Sequence, residues 1–174
     1  MAVTSTETVS DTSARATEAP LWAWIIATFF GSGFGRPGPG TWASVATVGL
    51  WFALARFANP ASQPILAIAT AIAVTLVGIP AATRVARVLG RKDPSQVVID
   101  EVAGQMIALI YVPLNWHNAL AALILFRAFD ITKPFPIRRI EHLPEGTGIM
   151  LDDVGAGLYA LAVMQLLLHF GVLK

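Results

Sequence analysis

The chain has 174 residues, 55% of them hydrophobic and 13% charged, with a net charge of +1 and a mean hydropathy of +0.64. An ordinary soluble domain carries roughly 25% charged residues, so the composition predicts an integral membrane protein of one domain. The net charge says nothing about nucleic acid, and no basic arm or aromatic-basic array suggests such a partner, so none is expected; the absence of cysteine excludes disulfides, thiol catalysis and zinc–thiolate sites.

Residues 1–20 are polar and carry more acid than base. They lack the charged and apolar regions of a secretory signal and are expected to form a disordered tail. Residues 21–174 are then one membrane-embedded domain. Residues 21–30 are apolar but too short to span, and run into the loop GSGFGRPGPGTWAS (31–44), which predicts a short re-entrant or interfacial segment. Residues 42–58 and 64–82 are long enough to cross. Residues 84–92, RVARVLGRK, read as a short basic surface helix. Residues 97–112 and 116–128 are marginal spans with ionisable residues at one end, and 154–173 is the clearest span. No alternating pattern suggests strands, so the expected fold is all-α and polytopic, a helical integral membrane protein with about four to five membrane segments.

Loop charges set an expected orientation. The turns at 59–63 and 112–117 are uncharged, whereas Arg36, then Arg84, Arg87, Arg91 and Lys92, then Arg127, Lys133, Arg138 and Arg139 occupy the alternate loops. The positive-inside rule places these, and the acids near them, on the cytoplasmic face. No acid lies between Glu18 and Asp93, and five of the eleven fall in three apolar stretches: Asp100 and Glu101 in VVIDEVAGQ (97–105), Asp130 in FRAFDITKPFPIRR (126–139), and Asp152 and Asp153 in MLDDVGAG (150–157). If these helix ends meet, the carboxylates repel one another unless a cation sits among them. Oxygen ligands without cysteine or nearby histidine favour a hard ion, Mg²⁺ first.

The same stretches supply cations for phosphate. Arg127 and Lys133 flank Asp130, Arg138 follows the KPFP turn, and Arg36 and Thr41 lie in the glycine-rich loop, whose free backbone N–H groups suit an anion cradle. Each feature also has a plainer reading. Asp152 and Asp153 could cap the last helix, as Asp100 could cap the helix near residue 97. Asp130 and Arg127 could form an i,i+3 pair. The glycine-rich loop lacks a Walker lysine and follows no strand, so nucleotide binding is not expected. His117, His142 and His169 fall outside the clusters.

The stretches GSGFGRPGPGTWAS, VVIDEVAGQ, FRAFDITKPFPIRR and GTGIMLDDVGAGLYA, spread over residues 31–160, resemble the phosphatidylglycerophosphatase A family. The resemblance implies a magnesium-dependent phosphatase of the bacterial cytoplasmic (inner) membrane, multi-pass with its active site facing the cytoplasm. Such an enzyme removes the terminal phosphate of phosphatidylglycerophosphate to give phosphatidylglycerol, in phospholipid biosynthesis. It implies a catalytic centre of Asp100, Glu101, Asp130, Asp152 and Asp153, with metal ligands from Asp100, Glu101, Asp152 and Asp153. Substrate phosphate falls to Arg127, Lys133 and Arg138, to which the loop adds Arg36 and Thr41. The partners expected are the phospholipid substrate and membrane lipids, with no nucleic acid and no protein partner. Glu101 or Asp130 would activate water; a covalent route through Asp130 or Asp152 stays open. The alternative is a transporter or ion-coupled carrier, which would spread its carboxylates along the membrane axis.

Overall fold

The computed structural model describes residues 18–174, in which every regular element is helical. Seven α-helices follow in order: α1 (Leu21–Ala27), α2 (Pro39–Ala55), α3 (Gln63–Leu89), α4 (Ile99–Ala108), α5 (Trp116–Thr132), α6 (Ile137–Ile140) and α7 (Glu145–His169). Local chemistry sets their ends. Pro39 opens α2 behind a left-handed Gly38, Asn115 caps α5 by accepting from the Asn118 N–H at 2.9 Å, and Gly90 at φ 62° closes α3. The tail expected at 1–20 lies almost wholly outside the described residues.

Two segments, Pro60–Leu89 with 30 residues and Glu145–His169 with 25, are long and apolar enough to cross a bilayer. Their most apolar stretches are only 28% and 33% buried. Ile65, Ile68, Ile72 and Leu76 form an exposed stripe at helical spacing along α3. Such a face, open over several turns, is suited to lipid and not to water, and we read the chain as a membrane protein.

Polar contacts show that the bundle has two chemically different ends. At one end Gln63 Nε2 donates to Ala55 O at 3.1 Å, Gln165 Nε2 to Ile110 O at 3.1 Å, and Asn118 Nδ2 to Lys174 O at 2.8 Å. The other end holds the acids. Among the described residues, only Arg56 and Lys174 of the cationic side chains lie away from it. Exposed aromatics mark both ends: Trp22, Phe34, Trp42 and Phe135 near the acids, and Phe57, Tyr111, Trp116 and Phe170 opposite, as side chains at two water–lipid boundaries would.

α4 differs from the expected span at 97–112. It has ten helical residues, every one buried, and at 1.5 Å per residue is about 15 Å long. It sits as a half-length central helix against α2, α3, α5 and α7. Gly104 and Gly157 make the α4–α7 contact possible. A Cβ at Gly104 would come within 2.6 Å of the Asp153 carbonyl oxygen, and one at Gly157 would collide with the Gly104 carbonyl. Two further boundaries depart from the sequence reading. The basic segment at 84–92 is not a separate helix, since Arg84 and Arg87 ride on the last turns of α3. The last helix begins at Glu145, some nine residues earlier than hydropathy alone marks.

Candidate active site

Three helices deliver the acids to one end of the bundle. Asp100 and Glu101 occupy the first turn of α4, where unpaired backbone N–H groups favour negative charge. Arg127 and Asp130 share a face of α5 at i,i+3 spacing, and Lys133 follows as its left-handed C-cap at φ 42°. Asp152 and Asp153 lie two turns inside α7 and so cap nothing. The capping explanation open to them from sequence fails because the helix starts upstream.

These side chains interlock. Arg127 Nη1 pairs with Glu101 Oε2 and, at 2.8 Å, with Asp130 Oδ2. Ser44 Oγ, from α2, donates to the same Glu101 oxygen at 3.1 Å. Gly40 lets α2 approach this pair: a Cβ there would overlap Glu101 Oε1 and stand 3.0 Å from Arg127 Nη1. Lys133 Nζ bonds Asp152 Oδ2 at 2.5 Å and lies 3.6 Å from Glu141 Oε2. Burial works against the Lys133 ammonium, but the hydrogen bond and charge of Asp152 more than offset it and hold its pKa above the ordinary lysine value.

Asp100, Glu101, Asp152 and Asp153 are between 3% and 9% exposed. Asp153 lies within electrostatic reach of Asp100, Glu101 and Asp130, and Asp100 of Glu101 and Asp152. Asp100 Oδ1 and Asp153 Oδ2 are fully buried without a hydrogen-bond partner among the described residues. Five carboxylates against two cations leave an excess of negative charge in a low-dielectric place, and two orphaned anionic oxygens fit a hard cation. Among the described residues no three acidic or histidine side chains are set to hold a metal on their own: Arg127 engages Glu101, and Lys133 engages Asp152.

Arg36, Thr41 and Arg138, expected to bind phosphate, are exposed. None makes an ion pair with the cluster, and Arg138 Nη2 instead reaches Thr132 O at 3.5 Å. The glycine-rich loop is not an open cradle along its length, because the N–H groups of Gly31, Gly33 and Gly35 are spent on Thr28 and Ser32 within its own turns. Sequence reasoning missed Ser44 and Gly40, whose contacts with Glu101 cross more than fifty residues. It also missed Asp93 and Glu141, which lie within electrostatic reach of Asp152 or Lys133. A short polar or glycine residue in a helix start carries no local mark of such a partner.

The family model for phosphatidylglycerophosphatase A matches residues 25–168. A Haemophilus influenzae protein named phosphatidylglycerophosphatase A is 42% identical over 142 residues, which cover 80% of this chain and 85% of that one. An Escherichia coli protein of the same name is 31% identical over 147 residues, 83% of each chain. A Bacteroides thetaiotaomicron protein named "Putative phosphatidylinositol-3-phosphatase" is 41% identical over 140 residues, 78% of this chain and 87% of that one. No solved structure matches the chain significantly.

Proposed function

The chain belongs to the phosphatidylglycerophosphatase A family, and on that premise we propose that it hydrolyses the terminal phosphate of phosphatidylglycerophosphate, giving phosphatidylglycerol. The observation that carries this reading is the buried meeting of acids from α4, α5 and α7 with Arg127 and Lys133 at one end of a lipid-facing bundle. A headgroup phosphate at the membrane surface would enter this end while its acyl chains stay in the lipid. A carrier would need ionisable groups along its axis, and the acids of this bundle gather at one end.

The roles follow from position. Asp100 and Asp153, with their free oxygens, and Asp152 beside them would hold Mg²⁺, which typically takes only one or two carboxylates and completes its shell with water and substrate phosphate. When bound, the ion would polarise the phosphoryl oxygens and offset their charge. Lys133 and Arg127 are positioned to exchange a carboxylate for a phosphate oxygen and to stabilise charge that develops on the leaving group. Glu101 is held through Oε2 by Ser44 and Arg127, which leaves Oε1 to orient and deprotonate the attacking water. Arg36, Thr41 and Arg138 then serve at the rim, where a headgroup arrives before it is held. The membrane topology consistent with this is four crossings, by α2, α3, α5 and α7, with α4 enclosed among them and the acidic end in the cytoplasm.

The test is phosphate release by the purified protein in vesicles, with Mg²⁺ or with EDTA. Phosphatidylglycerophosphate should be turned over in Mg²⁺ and not in EDTA. Phosphatidylinositol 3-phosphate and phosphatidate, presented in the same vesicles, should react more slowly. Preference for either of these, or full activity in EDTA, would overturn the substrate or the metal respectively.

A further inference from the structure

Gln105 is a buried polar side chain that the site as described does not use. It lies on α4, is fully buried, and neither its Nε2 nor its Oε1 has a hydrogen-bond partner among the described residues. Buried amides are almost always paired, and replacement by an apolar residue of similar size would remove the cost of burial altogether. Its place on the helix shows what it can serve. Gln105 follows Glu101 by four residues, so the two share a face of α4 one turn apart. Glu101 turns that face toward Ser44 of α2 and Arg127 of α5.

The chemistry of the free groups narrows the occupant. A cation satisfies only the amide oxygen and an anion only the nitrogen. A carboxamide with one open donor and one open acceptor suits a molecule that both accepts and donates, which is a water. Side chains at i and i+4 stand about 5–6 Å apart at Cβ, which brings the Gln105 amide to the neighbourhood of the Glu101 carboxylate, and the two are not bonded to each other directly. Glu101 Oε2 is already taken by Ser44 and Arg127, and Oε1 is the oxygen left to receive a third bond.

We propose that Gln105 is a positioning residue which, through one bound water, fixes the free carboxylate oxygen of Glu101 in the direction of the attacking water. This rests on the role given to Glu101 above. Gln105 touches neither the substrate nor the reacting atoms, so its effect is on turnover and not on headgroup binding.

Gln105→Leu and Gln105→Met, both apolar and close in volume, test it in the full chain reconstituted in vesicles with phosphatidylglycerophosphate and Mg²⁺. We expect Tm equal to or above that of the wild type, KM unchanged, and kcat lowered roughly 10- to 100-fold, the usual cost of losing a group that orients a site residue. Wild-type kcat in both variants overturns the proposal. So does a higher KM at unchanged kcat, or a Tm that falls in step with activity, which would make Gln105 structural. If the wild type itself releases no phosphate, the functional reading fails first, and the two failures are thereby told apart.

Discussion

Two acid–base contacts fasten helices at the same end of the bundle, and they differ in what surrounds them. Arg87 on α3 forks onto Glu145 at the start of α7, with Nε and Nη2 at 2.7 and 2.8 Å from its carboxylate oxygens, and both side chains are largely open to solvent. Arg127 on α5 reaches Glu101 and Asp130 with side chains only 10–18% exposed. The first contact has ideal geometry and little to gain from it, since water screens the charges. The second gives up hydration for both partners and leaves neighbouring carboxylates unmatched, a poor way to stabilise a fold. Charges kept in such a place are explained by chemistry, whereas the exposed fork is explained by helix docking alone.

The comparison breaks first at Arg127. Arg127→Gln strands Glu101 and Asp130 without their counter-charge, and the expected loss is about 3–5 kcal/mol of stability together with turnover, read by thermal unfolding and phosphate release in detergent. Ser44→Ala sharpens the same point at smaller scale. It removes one hydrogen bond to a charged group, worth about 1.5–3 kcal/mol, and should lower kcat by roughly tenfold or more, about 1.4 kcal/mol of barrier, while leaving KM near the wild-type value. Glu145→Gln is the control. The exposed pair should account for less than about 1 kcal/mol, seen as a small drop in Tm with phosphate release unchanged.

Much of this was legible in the sequence because hydrocarbon is an exacting solvent. An apolar stretch such as 64–82 can only be a helix there, and acids such as Asp100, Asp130 and Asp153 stand out against it. The meeting of the three acidic stretches with Arg127 and Lys133 could therefore be anticipated from their composition. Helix ends could not. From sequence Asp152 and Asp153 can be read as caps as well as ligands, because the unbroken apolar run begins only at Val154; in the fold the helix starts at Glu145 and EGTGIML forms two further turns, with the Gly146 N–H donating to Thr83 Oγ1 at 3.1 Å. Nor could the length of α4, since residues 97–112 are apolar enough to be buried in protein or in lipid alike. Arg36 and Thr41 join the site from sequence through the glycine-rich loop and Arg138 through the family resemblance, and neither ground fixes reach; in the fold all three are exposed and Arg138 Nη2 reaches Thr132 O.

Asp153 gives the sharpest division between stability and chemistry. It is 3% exposed, Oδ2 has no partner among the described residues, and Asp100, Glu101 and Asp130 all act on it with like charge. Asp153→Asn removes a repelled charge at nearly constant shape. Unfolding temperature and phosphatidylglycerophosphate turnover, measured on the same reconstituted sample, should show Tm held or raised and phosphate release lost. A variant that unfolds earlier yet still releases phosphate at the wild-type rate would contradict the account.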